Sequence, residues 1–217
     1  MGFVAAPLAF AICIVGLLLA VANATVGDVI GYGSVLFMKT DSGSYQVEDF
    51  MSETMPSVDE EKDVVYLSDI TFPTYNTVYG QIIIPSAEID CPLVYGDSNE
   101  ALQKGAGQYM GSRILGYGGT TLIGGHVSRH FATLPRVQVG DMIEIRTTYG
   151  VYTYQVRYTG IHSAKDESVY DLSREDENLV LYTCHYQNVA LGSVNGRYFV
   201  CADYVSGPML VSKEETP

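Results

Sequence analysis

The 217-residue chain is predicted to be a mainly β protein, folded as a largely antiparallel barrel or sandwich. Short runs rich in β-branched and aromatic residues recur between turn signals, which is typical of strands. Residues 151–158 alternate between apolar and polar side chains, the period of a half-buried strand. Glycine and tyrosine number 22 and 17 while tryptophan is absent, and helical periods are sparse. This combination favours sheets joined by tight turns.

Composition indicates one folded domain and excludes one class of partner. Hydrophobic residues make up 47% and charged residues 17% of the chain, as expected for a protein with a core. The net charge of -13 argues against a nucleic-acid partner, because few cations are available to neutralise phosphates. The acidic balance otherwise indicates only solubility.

The N-terminus is predicted to be a membrane anchor. Residues 3–22 carry no charge, and about 20 apolar helical residues span about 30 Å, the thickness of a bilayer core. A cleaved signal peptide is the alternative, with a small-x-small site at Ala22-Asn23-Ala24. Either interpretation exports the rest of the chain. The predicted parts are an anchor or signal at 1–24, an acidic stalk at 25–68, a domain at 69–208 and a polar tail at 209–217.

The first half of the domain is predicted to alternate strands with short connections. A turn leads into a strand that Pro85 closes, and a short helix follows the second strand and ends at Gly105. Three glycines, at 105, 107 and 111, predict a loose connection. Phe131 and Leu134 have helical spacing and predict a short helix or turn. The predicted elements are strands at 78–85, 89–95 and 120–125 and a helix at 99–104.

The second half reads as a hairpin followed by three further strands. A turn at 140–141 precedes the hairpin, and a second turn at 149–150 joins its strands. The acidic segment 166–178 is predicted to be a loop or short helix, and 185–196 a loop. The predicted strands are 142–148, 151–158, 161–164, 179–183 and 197–205.

Three reactive side chains stand at the edges of predicted strands. His126 follows the run 120–125, Cys184 ends the run 180–184, and Arg197 begins the last strand. A thiol, an imidazole and a guanidinium are the nucleophile, proton partner and oxyanion stabiliser of thiol-based acyl transfer. A core cysteine, a structural histidine and a surface arginine are the alternatives that the spacing leaves open. Two glycines before His126 would allow close approach of a substrate backbone.

The other histidines and cysteines are weaker candidates. His185 follows Cys184 directly, and successive side chains of a strand point to opposite faces, whereas His130 and His162 have no comparable strand-end position. No pair of cysteines has CxxC spacing, so a zinc site is not expected. Cys91 and Cys201 are interpreted as two buried free thiols, with a disulfide between them as the alternative.

The order His126, residues 180–184, Arg197 resembles the sortases, cell-wall transpeptidases of Gram-positive bacteria. The active-site strand of that family reads Thr-Leu-x-Thr-Cys. Leu181, Thr183 and Cys184 match it, and Val180 stands where the family has its first threonine. The resemblance covers roughly residues 70–205, and an N-terminal anchor with a stalk also agrees with it.

The resemblance implies a closed eight-stranded barrel and a defined reaction. Cys184 would attack the threonine carbonyl of a Leu-Pro-x-Thr-Gly-like signal on a secreted protein, giving a thioester. His126 would transfer protons, Arg197 would hold the oxyanion, and Thr183 would contact the substrate. An amine on a peptidoglycan precursor or a pilin would resolve the thioester. The enzyme would be anchored in the cell membrane through its N-terminal helix, with the catalytic domain outside.

The segments around these residues indicate the sortase subclass, and two other functions remain as alternatives. Segment 166–178 is short, and no Asp-Pro-aromatic motif occurs in the stalk, which leaves a housekeeping-like or class D-like enzyme. No acid occurs in 104–113, so neither a metal nor a cofactor is expected. The alternatives are a Cys/His cell-wall peptidase and a membrane-anchored β-barrel binding module without enzymatic activity.

Overall fold

A computed structural model describes residues 63–185 and 196–212, and these residues form a closed barrel of eight strands. Around the barrel the strand order is β2-β3-β4-β5-β8-β9-β7-β6, and β1 and β10 pair with each other in a separate small sheet. The prediction of a mainly β fold and of a closed eight-stranded barrel is confirmed. The strands are β1 (Val64–Tyr66), β2 (Val78–Ile84), β3 (Ile89–Tyr95), β4 (Ala106–Gln108), β5 (Thr120–Gly125), β6 (Met142–Thr147), β7 (Gly150–Ser163), β8 (Asn178–His185), β9 (Gly196–Ser206) and β10 (Met209–Val211).

Two of the barrel pairs are parallel, β3 with β4 and β5 with β8. The first requires a crossover, which the helix α1 (Asn99–Lys104) provides. Ser98 caps this helix by accepting a hydrogen bond from the backbone N–H of Ala101 at 3.1 Å. The prediction of a loose connection after Gly105 was wrong at residues 106–108, since β4 is too short and too rich in glycine to give a strand-like pattern.

The hairpin of β6 and β7 is confirmed, but β7 is longer than predicted. The predicted strands at 151–158 and 161–164 are one strand of 14 residues. Its pairing with β9 shifts register between Val156 and Tyr158. A bulge of this kind interrupts the alternation of side chains, which is why the sequence pattern ends at that point.

The small sheet of β1 and β10 uses residues from the predicted stalk and the predicted tail. Leu210 is buried in the core, so β10 contributes a side chain to the packing of the barrel interior. The predicted anchor at 3–22 and the acidic segment before residue 63 lie outside the described residues. Within 63–185 and 196–212, no helix has the length and apolar character needed to cross a bilayer.

Side chains pack on both faces of the barrel wall. Along β8, Leu179 and Leu181 join the interior core, whereas Val180 belongs to an outer cluster. Cys91 lies in the interior core and Cys201 in the outer cluster, and both are free and buried. The interpretation as two buried free thiols is therefore confirmed. The outer cluster consists of Leu122, Val180, Phe199 and Cys201, with Val169, Tyr170 and Tyr182 packed against it.

Polar contacts hold together the starts of β5 and β8, and we call this group the entry clamp. The carboxylate of Glu177 accepts hydrogen bonds from the Tyr154 hydroxyl at 2.6 Å and from the Gly118 N–H at 2.9 Å. Beside it, the Asn178 side-chain amide donates to the hydroxyl of Thr120 at 3.0 Å. Thr120 and Asn178 are also the first paired residues of β5 and β8. Burial raises the pKa of Glu177 above its usual value.

The substitution Glu177→Gln should lower the free energy of unfolding by about 1–3 kcal/mol, the usual effect of an unsatisfied buried polar group. Two donors face the two carboxylate oxygens, and an amide would present its NH2 group to one of them. Chemical denaturation at neutral pH measures the change. Glu175→Gln is the matched control because Glu175 is exposed. Equal stability of the Glu177→Gln variant and the wild type would show that the entry clamp does not stabilise the fold.

Candidate active site

The barrel places the ends of β5, β8 and β9 side by side. Gly125 pairs with Thr183 in the parallel β5–β8 ladder, so His126 and Cys184, each one residue further, lie at the same level. Cys184 pairs directly with Arg197 in the antiparallel β8–β9 ladder. Adjacent strands are about 4.8 Å apart. The three backbone positions therefore fall within about 10 Å, with Cys184 in the middle.

Cys184 lies on the outer face of the barrel. It shares this face with Val180 because alternate residues of a strand point the same way, and Val180 belongs to the outer cluster. The Cys184 thiol is free and half-buried. Directly paired residues also project from the same face of a sheet, so Arg197 lies on the same side as the thiol.

Arg197 brings a permanent positive charge to this end of the barrel. Within the described residues its guanidinium donates one hydrogen bond, to the Gly196 carbonyl at 3.1 Å. A guanidinium carries five N–H donors, so donors remain for a ligand. The pKa of Tyr182 is raised by burial and by Asp97, and the charge of Arg197 counteracts this rise. The positive charge of Arg197 therefore acts at the position of Tyr182.

A groove of about 810 Å³ runs along the same outer face. Its floor is made by β5, β8 and β9, and its wall by residues 164–172, which we call the groove wall. Arg197 lines the groove, and Arg197 is the direct ladder partner of Cys184. The lining residues are Asp97, Tyr109, Leu122, Ala164, Glu167, Ser168, Tyr170, Asp171, Leu172, Tyr182, Arg197 and Phe199.

Residues 82–205, more than half of the chain, match the family model described as the sortase domain. The chain belongs to the sortase family. Sortases are cysteine transpeptidases, and the chain is an enzyme of this type. Sortases are generally enzymes of the cell surface.

Individual relatives agree with this assignment. Sortase D of Bacillus subtilis (strain 168) is 29% identical over 149 residues, which cover 69% of this chain and 73% of the relative. The structure of the SrtA sortase from Actinomyces oris has a TM-score of 0.57 at 20% identity and covers 68% of this chain and 89% of its own. Sortase E of Streptomyces avermitilis has a TM-score of 0.53 at 25% identity, covering 62% and 91%. The structures at low identity support the barrel fold.

In this sortase His126 sits where β5 turns away from the barrel. Its carbonyl accepts hydrogen bonds from the N–H groups of Arg129 at 3.1 Å and Phe131 at 3.2 Å. Arg129 in turn donates to the Gln103 carbonyl at 2.8 Å, which fixes the turn to the end of α1. Partial burial lowers the pKa of His126, and the positive charge of Arg129 lowers it further. The imidazole is therefore mainly neutral at pH 7 and able to accept a proton.

The two glycines before His126 have a different use from the one predicted. A Cβ on Gly124 would lie 2.6 Å from the Tyr182 ring, and one on Gly125 would lie 2.6 Å from the Phe131 ring. These rings already occupy the space that glycine leaves open. The two glycines therefore let aromatic side chains of the protein pack closely against β5, in place of the substrate backbone that we expected there.

Thr183 points away from the thiol. It is buried, and its hydroxyl donates to the Gly125 carbonyl at 2.8 Å. This bond ties β8 to β5 directly beside Cys184 and His126. The Thr183 side chain is therefore engaged within the barrel wall, and the predicted contact between Thr183 and a substrate stays a prediction.

The other histidines occupy distinct environments. His185 pairs with Gly196 at the end of β8. The Nε2 atom of His130 is buried and has no hydrogen-bond partner among the described residues, and burial lowers the pKa of this imidazole. His162 pairs with Arg197 across β7 and β9, so it has a place beside the site that strand-end reasoning missed. A Tyr-x3-His-x3-Asp spacing around it was the available signal.

Metal ligands do not cluster in the described part of the chain. Within 63–185 and 196–212, no group of three or more histidine, cysteine, aspartate or glutamate side chains could hold a metal ion. The expectation of an enzyme without a metal or cofactor remains a prediction, which activity after chelation would test.

The titration of His126 is the electrostatic prediction for this site. We expect its NMR midpoint below 6.5, and Arg129→Gln should raise it because the nearby positive charge is removed. The signal is assigned with a His126→Gln variant. Arg136→Gln is the control, since Arg136 pairs with Glu88 on the surface. A midpoint above 6.5, or one that Arg129→Gln leaves unchanged, would contradict this account of the site.

Proposed function

We propose that this sortase cleaves a Leu-Pro-x-Thr-Gly-like signal between threonine and glycine and transfers the acyl group to a cell-wall amine through a Cys184 thioester. The observation that carries the proposal is the position of Cys184. It pairs with Arg197 on one side and lies level with His126 on the other. A groove of about 810 Å³ is lined by Arg197, the ladder partner of Cys184.

Acylation uses all three side chains. The Cys184 sulfur attacks the threonine carbonyl carbon, and His126 accepts the thiol proton as general base. The carbonyl oxygen becomes an oxyanion, which the forked guanidinium of Arg197 stabilises. As the tetrahedral intermediate collapses, the C–N bond breaks and His126 returns the proton to the leaving glycine amine. The acyl group stays on sulfur as a thioester.

Deacylation reverses these roles with a different amine. The neutral acceptor amine attacks the thioester carbonyl, again with Arg197 beside the oxyanion. His126 removes a proton from the attacking nitrogen and passes it to the departing thiolate. A new amide forms and Cys184 returns to its starting state, so one histidine serves both half-reactions.

The chemistry of the groove lining favours a peptide substrate and an amine acceptor. Its floor is apolar and aromatic, as in sites that bind short peptides. Three carboxylates line it, those of Asp97, Glu167 and Asp171, against the one guanidinium of Arg197. This negative potential favours the approach of an amine, which is cationic before it loses its proton. In this scheme Thr183 acts through its backbone and its bond to Gly125.

We further propose a class D-like enzyme, because the relative Sortase D is 29% identical over 149 residues.

Residues 3–22 would anchor the enzyme in the cell membrane with the catalytic domain outside, as their length and lack of charge favour. Fractionation of cells tests the anchor. Recovery of the full-length chain in the medium would contradict it.

Cys184→Ala should abolish cleavage of a quenched sorting-signal peptide, because it removes the nucleophile. Cys13→Ser is the matched control, since it also replaces a thiol but keeps Cys184. In the Cys13→Ser chain a thiol reagent should label Cys184 selectively, as Cys91 and Cys201 are buried and burial raises the pKa of each, to about 12 for Cys91. Cleavage at the control rate by the Cys184→Ala variant would refute the proposal.

A transfer assay separates a transpeptidase from a Cys/His peptidase. With a glycine-based amine present, the wild type should yield the ligated peptide in addition to the hydrolysed one. Mass spectrometry of the products measures the ratio. Hydrolysis alone, over a series of amines, would favour the peptidase.

Arg197→Lys should reduce kcat/KM by about 100-fold or more, in the range for removal of one oxyanion donor. Lysine keeps the charge but loses the forked geometry. Arg157→Lys is the control, because Arg157 pairs with Asp203 at an exposed position. Circular dichroism checks that both variants fold. Wild-type kcat/KM in the Arg197→Lys variant would remove Arg197 from the mechanism.

A further inference from the structure

We infer that His162 is a positioning residue of this sortase. Through Asp166 it holds the groove wall in the conformation that binds the sorting-signal peptide. The inference rests on the proposed function in one respect, since it takes the groove as the peptide site. His162 itself lies beside the proposed reacting groups as the cross-strand neighbour of Arg197, and its two ring nitrogens bond elsewhere, to Asp166 and Tyr158.

His162 is held at both ring nitrogens. Its Nδ1 lies 3.0 Å from a carboxylate oxygen of Asp166, and its Nε2 lies 2.7 Å from the hydroxyl of Tyr158. A carboxylate only accepts, so Nδ1 carries the proton that is donated to Asp166. In the neutral ring, Nε2 then accepts from the Tyr158 hydroxyl. We call this row of three side chains the clasp.

Asp166 connects the clasp to the groove wall. One of its carboxylate oxygens faces His162, while the other accepts hydrogen bonds from the N–H and the hydroxyl of Ser168, at 3.2 and 2.5 Å. Asp166 thereby caps the short turn Glu167–Val169. Glu167 and Ser168 line the groove. The same carboxylate therefore shapes the groove wall and attaches it to β7.

The sequence of β7 is adapted to the clasp. Tyr158 and His162 are four residues apart on one face of the strand, with Gly160 between them. A Cβ on Gly160 would collide with the Tyr158 hydroxyl. The tyrosine ring lies over this glycine and so reaches Nε2 of the imidazole.

The clasp lies beside the candidate active site because β7, β9 and β8 are neighbours in the sheet. His162 pairs with Arg197, which pairs with Cys184, so the three side chains form one row on the outer face. The His162 ring also meets the Phe199 ring edge-on at 6.1 Å between centroids. Phe199 is part of the groove floor. His162 thus contacts the floor and, through Asp166, the wall.

The far half of the groove wall has its own attachments. The Cys201 thiol lies 3.6 Å from the Val169 carbonyl, and the Thr120 hydroxyl donates to the Asp171 carbonyl at 2.6 Å. The Tyr170 ring stacks on Phe199. Loss of the clasp should therefore loosen residues 164–168 and leave the barrel folded.

The test uses His162→Ala and Asp166→Asn in the full chain. Each should raise KM for the sorting-signal peptide about tenfold, as loss of a hydrogen bond to a charged group implies, with kcat within about threefold of the wild type. Tyr158→Phe should raise KM less, because the Asp166 contact survives. The double variant should raise KM by less than the product of the two single effects, because both single variants lose the same His162–Asp166 contact.

Hydrogen exchange provides a readout that does not depend on turnover. The amides of residues 164–168 should exchange faster in His162→Ala and Asp166→Asn, while those of β8 stay unchanged. Asp203→Asn is the control for removing an exposed carboxylate that has its own ion pair. Unchanged exchange at 164–168 would overturn the inference, and so would a fall in kcat at constant KM. If the wild type cleaves no sorting-signal peptide, the proposed function fails, and exchange alone decides whether the clasp holds the wall.

Discussion

The register between β5 and β8 is the constraint on which the site depends. The entry clamp fixes it at one end, where Thr120 pairs with Asn178, and the bond from Thr183 to Gly125 fixes it at the other. A slip of one residue would move Cys184 by about 3.3 Å relative to His126 and turn its side chain into the barrel. Polar contacts at both ends of the β5–β8 ladder thus determine where the thiol lies.

Strong local patterns predicted most of the barrel. The runs ending at His126 and Cys184 are strands in the structure, and the hairpin of β6 and β7 was visible as alternation. The strands β1, β4 and β10 were missed because each has three residues, too few to show a period. Their pairing is decided by distant partners, which a local pattern does not contain.

The sequence predicted the three candidate site residues, but it predicted few of the contacts around them. Three reactive side chains at strand ends were identified from chain order, and the barrel brings their strands together. The burial of Thr183 could have been anticipated, since it alternates with Cys184 along one strand. The local contacts of His162 were signalled by the Tyr-x3-His-x3-Asp spacing, since Tyr158 and Asp166 are each four residues away. Its position beside Arg197 was not, because that position depends on the long-range pairing of β7 with β9.

The positions of the cysteines determine how the protein responds to oxidation. Cys91 lies inside the barrel wall and Cys201 outside it, so a crosslink between them would require the barrel to open. Among the cysteines that the structure describes, the half-buried Cys184 is the one that meets dissolved peroxide. Peroxide would therefore oxidise Cys184 to a sulfenic acid, which small thiols can reduce. Under the mechanism proposed above, this oxidation would inhibit the enzyme reversibly, and the buried thiols of Cys91 and Cys201 would be spared.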